Sequence, residues 1–380
     1  MLYVGLISGT SADAIDAALV DIDGDTIQTL AIASHAFPPE LGARLADALA
    51  TPATLTAKAC GALDAALGHE FAAAALTLLH EARVDANAVR AIGSHGQTLF
   101  HAPDGPEAFT LQVGDPARIA MATGVTTVAD FRRADVAAGG QGAPLAPLLH
   151  AALWGGTRTQ RAVLNLGGIA NLSLLQPGLP VRGFDTGPAN TLMDQWAAVT
   201  GNGAHDADGA LAARGTVDTT LLGKLSEDPY FSLPAPKSTG REYFDRDWLL
   251  SGVGMTAQAA SELKTTRIAD IMATLCALTV TTVADALHRA AGETEAQGFE
   301  LIACGGGCHN PELMRRLAQV DGVDRLATTA DYGIDPDYVE ATLFAWLAAQ
   351  RIAGQPVDTR TITGARHRVM AGSIHEPSVE

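Results

Sequence analysis

A set of strands joined by glycine turns occurs twice in this chain, and few folds can accommodate both copies. In the first copy an apolar run, 2–7, ends at Ser8-Gly9-Thr10-Ser11 and resumes from Ile15 to Ile22. After the Asp23-Gly24 turn a third strand is expected at about 26–34. In the second copy an apolar run within 160–166 ends in Gly167-Gly168 and resumes over 169–175. It turns at Pro177-Gly178 and starts a third strand near 181–184. Apolar runs bounded by glycine and small polar residues read as strands and tight turns. A duplicated unit of this kind implies two like-built α/β halves rather than a solenoid. Two such halves facing each other would leave a cleft between their turns, where a nucleotide could sit.

The turns have the chemistry for that ligand. Small residues at Gly9, Thr10 and Ser11 let a phosphate approach the backbone, whose N–H groups can form an anion-binding nest. Asp13 and Asp16 add carboxylates able to hold Mg²⁺ through water, although a plain β-hairpin would use the same residues. A third glycine cluster, Gly305-Gly306-Gly307, follows an apolar run and precedes Asn310-Pro311-Glu312, which reads as a helix start. Glycines there would let backbone lie against a flat ligand or a phosphate. The neighbouring Cys304, Cys308 and His309 have no second cysteine pair to complete a zinc site, so the thiols are expected to be small buried residues. Four cysteines in 380 residues make no disulfide framework.

Residues able to do chemistry cluster at other strand ends. Asp185, in Gly183-Phe-Asp-Thr-Gly-Pro-Ala-Asn190, ends the third strand of the second copy, where a carboxylate facing a cleft can act as a general base. The alternative is an aspartate capping the next helix. Ser94, His95 and Gln97 sit at a glycine-bracketed turn, and Asp130, Arg132 and Arg133 end another strand. Such groups can hold sugar hydroxyls and a carboxylate. The formal charge of −17 argues against nucleic acid and anionic membranes as partners. The chain opens on a strand without a leader pattern, and no uninterrupted apolar stretch reaches the length of a membrane span, so a cytoplasmic location is expected.

These segments together resemble the anhydro-N-acetylmuramic acid kinase family. The likeness is carried by Gly9-Thr-Ser-x-Asp13, Ser94-His-Gly-Gln-Thr98, Ala129-Asp-Phe-Arg132 and Asp135-Val-Ala-Ala-Gly-Gly-Gln-Gly-Ala-Pro144. It continues through Asn165-Leu-Gly-Gly-Ile-Ala-Asn171, Gly183-Phe-Asp-Thr-Gly-Pro188, Pro236-Lys-Ser-Thr-Gly-Arg-Glu-Tyr-Phe244, Cys304-Gly-Gly-Gly307 and Glu340-Ala-x-x-Phe-Ala-Trp-Leu-Ala348. The resemblance implies two actin/hexokinase-like (ribonuclease H-like) α/β domains around a central cleft. The first is expected over 1–135 and the second over 136–380, with a C-terminal tail that could pack back on the first. It implies an ATP- and Mg²⁺-dependent enzyme that opens 1,6-anhydro-N-acetylmuramic acid with water and phosphorylates O6, giving N-acetylmuramic acid 6-phosphate in peptidoglycan recycling.

By the same resemblance Asp185 is the base and Glu340 a second carboxylate near the sugar. His95, Gln97, Asp130 and Arg132 bind substrate, with Arg132 on its lactyl carboxylate. Gly9–Asp16 and Gly167-Gly168 cradle phosphates, Gly305 to Gly307 line the adenosine, and a homodimer is expected. Two positions depart from the family pattern. Ala14 follows Asp13 and Ala189 precedes Asn190 where the family has glycine, and alanine disfavours positive φ. Two other readings stay open: a kinase for a smaller anhydro-sugar such as levoglucosan, and a non-catalytic nucleotide-binding member of the fold.

Overall fold

The computed structural model describes residues 1–9, 12–156, 158–292 and 298–377. They form two compact units, one made of 1–153 with 338–380 and the other of 154–337. The strands are β1 (Leu2–Ile7), β2 (Ala14–Asp23), β3 (Thr26–Ala36), β4 (Val89–Ser94), β5 (Gln97–Ala102), β6 (Phe109–Val113), β7 (Thr127–Ala129), β8 (Arg161–Leu166), β9 (Ile169–Leu175), β10 (Arg182–Pro188), β11 (Phe299–Cys304), β12 (Val323–Thr328) and β13 (Ser373–His375).

The first unit has a sheet in the order β13-β7-β4-β1-β2-β3, plus the hairpin β5-β6. β1 is antiparallel to β2 and β2 to β3, whereas β4 runs parallel to β1 and β7 parallel to β4. The second unit repeats the plan as β10-β9-β8-β11-β12, with β8, β9 and β10 antiparallel in turn and β11 and β12 parallel to β8. Counted within each unit, both sheets follow the order 3-2-1-4-5 before β13 is added to the first. The two strand triplets expected from sequence are therefore the antiparallel halves of two equivalent mixed sheets. Long helices cover them and bury their apolar faces, which is where most helical stability arises. Helix Ala57–Ala82 lies against β2 and β3, and helix Thr265–Ala291 against β9 and β10.

By length and hydropathy alone both helices could cross a membrane, contrary to the expectation from sequence. Half of the most apolar window of the first and 72% of the second is buried inside the protein, which is the pattern of a core helix.

The first unit extends past the expected limit at 135. Asp135 is buried and accepts hydrogen bonds from Gly142 N (2.7 Å) and Thr363 Oγ1 (2.8 Å). Arg366 N donates to Ala138 O (3.0 Å). These bonds tie 135–142 to the C-terminal tail, and β13 of that tail pairs with β7.

Helix Val339–Ile352 belongs to the first unit as well and lies directly on β1 and β4. Its close approach depends on Gly5 and Gly93, which are partners in the sheet. A Cβ on Gly5 would stand 2.7 Å from Ala345 N, and one on Gly93 would stand 3.0 Å from Ala348 Cβ and press on Phe344 O. Glycine inside a strand marks such an approach of another backbone.

Candidate active site

In the second unit Asp185 lies on β10 beside Asn171 of β9, its register partner. Asn171 Nδ2 donates to Asp185 Oδ1 (2.8 Å) and Thr239 N donates to Oδ2 (2.9 Å). The Asp185 backbone is clamped too, its N–H donating to Lys237 O (3.0 Å) and its carbonyl accepting from Tyr230 Oη (2.9 Å). Burial pushes the Asp185 carboxyl up to about 6, against the opposing effects of Asn171, Thr239 N–H and the Lys237 charge. Burial likewise lowers the Lys237 ammonium to about 8, helped by the Arg289 charge and opposed by Asp185. Two buried polar atoms next to the carboxylate, Asn171 Oδ1 and Thr239 Oγ1, have no hydrogen-bond partner among the described residues. A hydroxyl or water brought by a ligand would satisfy them. Asp185 therefore lies within its strand, and the helix that follows, Asn190–Val199, has no side-chain cap, which removes the capping alternative.

The glycine turn Gly167-Gly168 joins β8 to β9. Its carbonyls are taken by the next helix, with Asn190 N donating to Gly167 O (3.1 Å) and Ala189 N to Gly168 O (2.9 Å). Arg241 lies over the turn, since a Cβ on Gly168 would stand 2.6 Å from its Nε. Gly305 has φ +81°, and a Cβ there would meet Asn165 Oδ1, while Gly306 faces open space. Gly307 packs on Leu166. Flat backbone without side chains thus borders the ends of β8 and β11. Cys304 is buried, as expected, whereas Cys308 is half-buried, and neither is in a disulfide. Asn310 caps the following seven-residue helix by accepting from Leu313 N (3.0 Å).

In the first unit Gly9 has open space around it, Asp13 is exposed and Asp16 half-buried. Thr10 and Ser11 lie outside the described residues. Ala12 adopts φ +53°, whereas Ala14 and Ala189 do not adopt positive φ, so neither replaced glycine stood where a left-handed backbone is required. Arg132 is held from two sides, Nε donating to His95 Nε2 (2.8 Å) and Nη1 to Gly142 O (2.9 Å). His95 Nδ1 faces Gly96 O at 3.0 Å, and a carbonyl can only accept, so Nδ1 carries the proton and Nε2 accepts from Arg132. Burial, and then the Arg132 charge, hold this imidazole well below its usual pKa, in the neutral form. Gln97 is buried behind the same turn, accepting from Ser8 Oγ at 2.6 Å.

Asp130 adopts φ +62° and pairs with Arg133 (3.2 Å). Glu340 opens helix Val339–Ile352 and is open to solvent; the surrounding protein raises its pKa, Arg132 opposes that and Asp16 adds to it. His95, Arg132, Glu340 and Asp16 are thus gathered in the first unit. Asn171, Thr239, Tyr230, Lys237 and Arg241 were not singled out from sequence as partners of Asp185 or of the turn. All but Tyr230 stand in two polar motifs, 165–171 and 236–244, which was their signal; Tyr230 had none.

Two mixed sheets of order 3-2-1-4-5, each with a glycine turn after its first strand, define the ribonuclease H-like fold shared by actin and the sugar kinases. The family model for anhydro-N-acetylmuramic acid kinase matches residues 1–377. A protein of Xanthomonas axonopodis pv. citri named anhydro-N-acetylmuramic acid kinase is 48% identical over 377 residues, 98% of each chain. One of Vibrio cholerae with the same name is 44% identical, covering 99% of this chain and 98% of its own. Among solved structures, a ROK family glucokinase from Streptomyces griseus in complex with glucose and AMPPNP is similar at a TM-score of 0.40 and 13% identity, covering 92% of this chain and all of that one. This chain belongs to the anhydro-N-acetylmuramic acid kinase family.

Proposed function

We propose that this protein opens 1,6-anhydro-N-acetylmuramic acid with water and phosphorylates O6 from ATP, giving N-acetylmuramic acid 6-phosphate, and that Asp185 is the base. The observation that carries this reading is the Asp185 carboxylate, held by Asn171 and Thr239 N–H and tuned to about 6. A base is most effective when its pKa lies near the working pH. Asp185 takes a proton from the water that attacks the anomeric carbon and the C1–O6 bond breaks. O6 then attacks the γ-phosphorus, whose bond to the β-phosphate oxygen breaks to release ADP, and the proton on Asp185 passes to solvent. Asn171 Oδ1 and Thr239 Oγ1 offer the unsatisfied partners that orient this water and O6.

Arg132, preset by neutral His95, binds the lactyl carboxylate, which is the feature that favours this substrate over levoglucosan. His95 and Gln97 act through Arg132 and the turn at Ser8, while Asp130 and Glu340 face the sugar hydroxyls. In the first unit Gly9, Asp13 and Asp16 are the phosphate-binding candidates; in the second unit Gly167 and Gly168 are, and Gly305 to Gly307 would line the adenosine.

Phosphoryl transfer needs placement and charge neutralisation more than covalent help. Among the described residues no three His, Cys, Asp or Glu side chains gather to hold a metal ion. Asp13 and Asp16 are the carboxylates that would hold Mg²⁺ through water. When bound it would neutralise phosphate charge. The reading places the protein in the cytoplasm, in peptidoglycan recycling.

The test is ATP-dependent turnover of the anhydro-sugar with mass spectrometry of the product. A gain of one phosphoryl group and one water supports the reaction, and a gain of phosphate without water refutes hydrolytic opening.

A further inference from the structure

The second unit contains a cavity of about 370 Å³ on the face of β10 that Asp185 does not use. Alternation along the strand puts Arg182 and Phe184 on one face and Asp185 on the other. Leu174, Phe184 and Ala286 give the cavity an apolar floor, and residues 232–237 close one side. Among the described residues its charged lining is entirely cationic, namely Arg182, Lys237 and Arg289. This is unexpected in a chain with 42 acidic and only 25 basic residues, in which cations are usually paired.

Arg182 is anchored, Nη2 donating to Gln176 Oε1 at 2.7 Å, and Lys237 Nζ donates to Tyr230 O at 3.0 Å. Arg289, on helix Thr265–Ala291, has no hydrogen-bond or ion-pair partner among the described residues, and its charge bears on Lys237. Two neighbouring cations with no carboxylate between them on this face are a receptor for an anion. The volume is within the range of small-molecule sites, and the apolar floor asks for more than a bare ion.

We propose that this cavity binds a small anion carrying an apolar group, with its charged end on Arg289 and Lys237 and its apolar end on Leu174 and Phe184. The occupant also bears on turnover. Residues 237–239, which continue the wall of the cavity, give Asp185 two of its bonds, Lys237 O accepting from its N–H and Thr239 N donating to its carboxylate. An anion that draws Lys237 toward the cavity moves the segment that holds the base. This coupling rests on the reading of Asp185 as base, whereas the binding site does not.

Phenyl phosphate has the required form, and inorganic phosphate and phenol each present half of it. Calorimetric titration of the whole protein is expected to show one phenyl phosphate site per chain, tighter than for either half. Binding should persist when a non-hydrolysable ATP analogue is already bound. Arg289→Gln, at an exposed helix position, should weaken the probe by about tenfold or more, the effect of one lost charge-assisted hydrogen bond. It should leave turnover without the probe unchanged. Saturating probe should change turnover of the parent protein and not of the variant. Displacement by the ATP analogue, equal binding to the variant, or no saturable binding in the millimolar range would each overturn the site. Binding lost in Arg289→Gln with turnover unaffected by the probe would keep the site and overturn the coupling. If the parent protein turns over no anhydro-sugar at all, the proposed function fails while the titration still decides the site.

Discussion

Asp185→Asn should abolish turnover and make the protein more stable. The carboxyl has its pKa raised from 3.8 to about 6, so the folded state holds the ionised form less well than the unfolded chain does. Above pH 6 that difference opposes folding by at most about 3 kcal/mol, at 1.36 kcal/mol per pKa unit. Well below pH 3.8 the carboxyl is neutral in both states and the penalty is gone. A neutral amide removes the penalty at all pH values, provided its own hydrogen bonds are met. They can be: Thr239 N–H donates to the new carbonyl oxygen, and the Asn171 amide turns over so that its unpartnered Oδ1 accepts from the new NH₂. Thermal unfolding at pH 8 should therefore rise by several degrees, at about 2–4 °C per kcal/mol for a unit of this size. The gain should shrink steadily as pH falls from 6 to 4. Turnover should fall by a factor of at least about 10² to 10⁴, the contribution of a general base. A variant that is less stable at pH 8, or whose stability difference does not vary between pH 4 and 8, would refute the account of Asp185.

Three further changes test other parts of the site. Asn171→Ala removes a donor that favours the Asp185 carboxylate, so the acid limb of kcat/KM should move upward from about pH 6. The move should be about one unit if that bond contributes about 1.4 kcal/mol; an unchanged pH profile would count against Asp185 as the titrating base. His95→Ala takes away the acceptor of Arg132 Nε, and is expected to raise KM for the sugar by about tenfold with a smaller effect on kcat, in steady-state kinetics. Gly93→Ala forces helix Val339–Ile352 off the sheet and should lower stability by about 1–3 kcal/mol in a denaturant titration, together with lost activity through Glu340.

Much of this was legible in the sequence because it is local. The glycine turns, the strand triplets and Asp185 within the motif 183–188 follow from neighbours a few residues apart. The partners of Asp185 do not. Thr239 reaches it across 54 positions of chain, and only folding reveals that its N–H faces a carboxylate. His95 shows the same limit: histidine in a polar motif suggested contact with substrate, whereas in the fold both ring nitrogens are engaged and it sets Arg132. Nothing near Gly5 or Gly93 signals the helix that needs their missing side chains, since it lies more than 200 residues away. The end of the first unit was misjudged for a similar reason. Asp135 is fastened by Thr363, and nothing near either residue signals the other.

The first unit draws on both ends of the chain, with 154–337 between them. This has a consequence for biosynthesis. As the polypeptide leaves the ribosome, β1, β2, β3 and β4 emerge early, but helix Val339–Ile352 that covers β1 and β4 comes more than 240 residues later. Domains usually fold as they are made, N-terminal first. Here the second unit, although encoded later, is the first that can close. The nascent first sheet must wait with the face that this helix covers still open. The same order delays Glu340, which opens that helix, until the end.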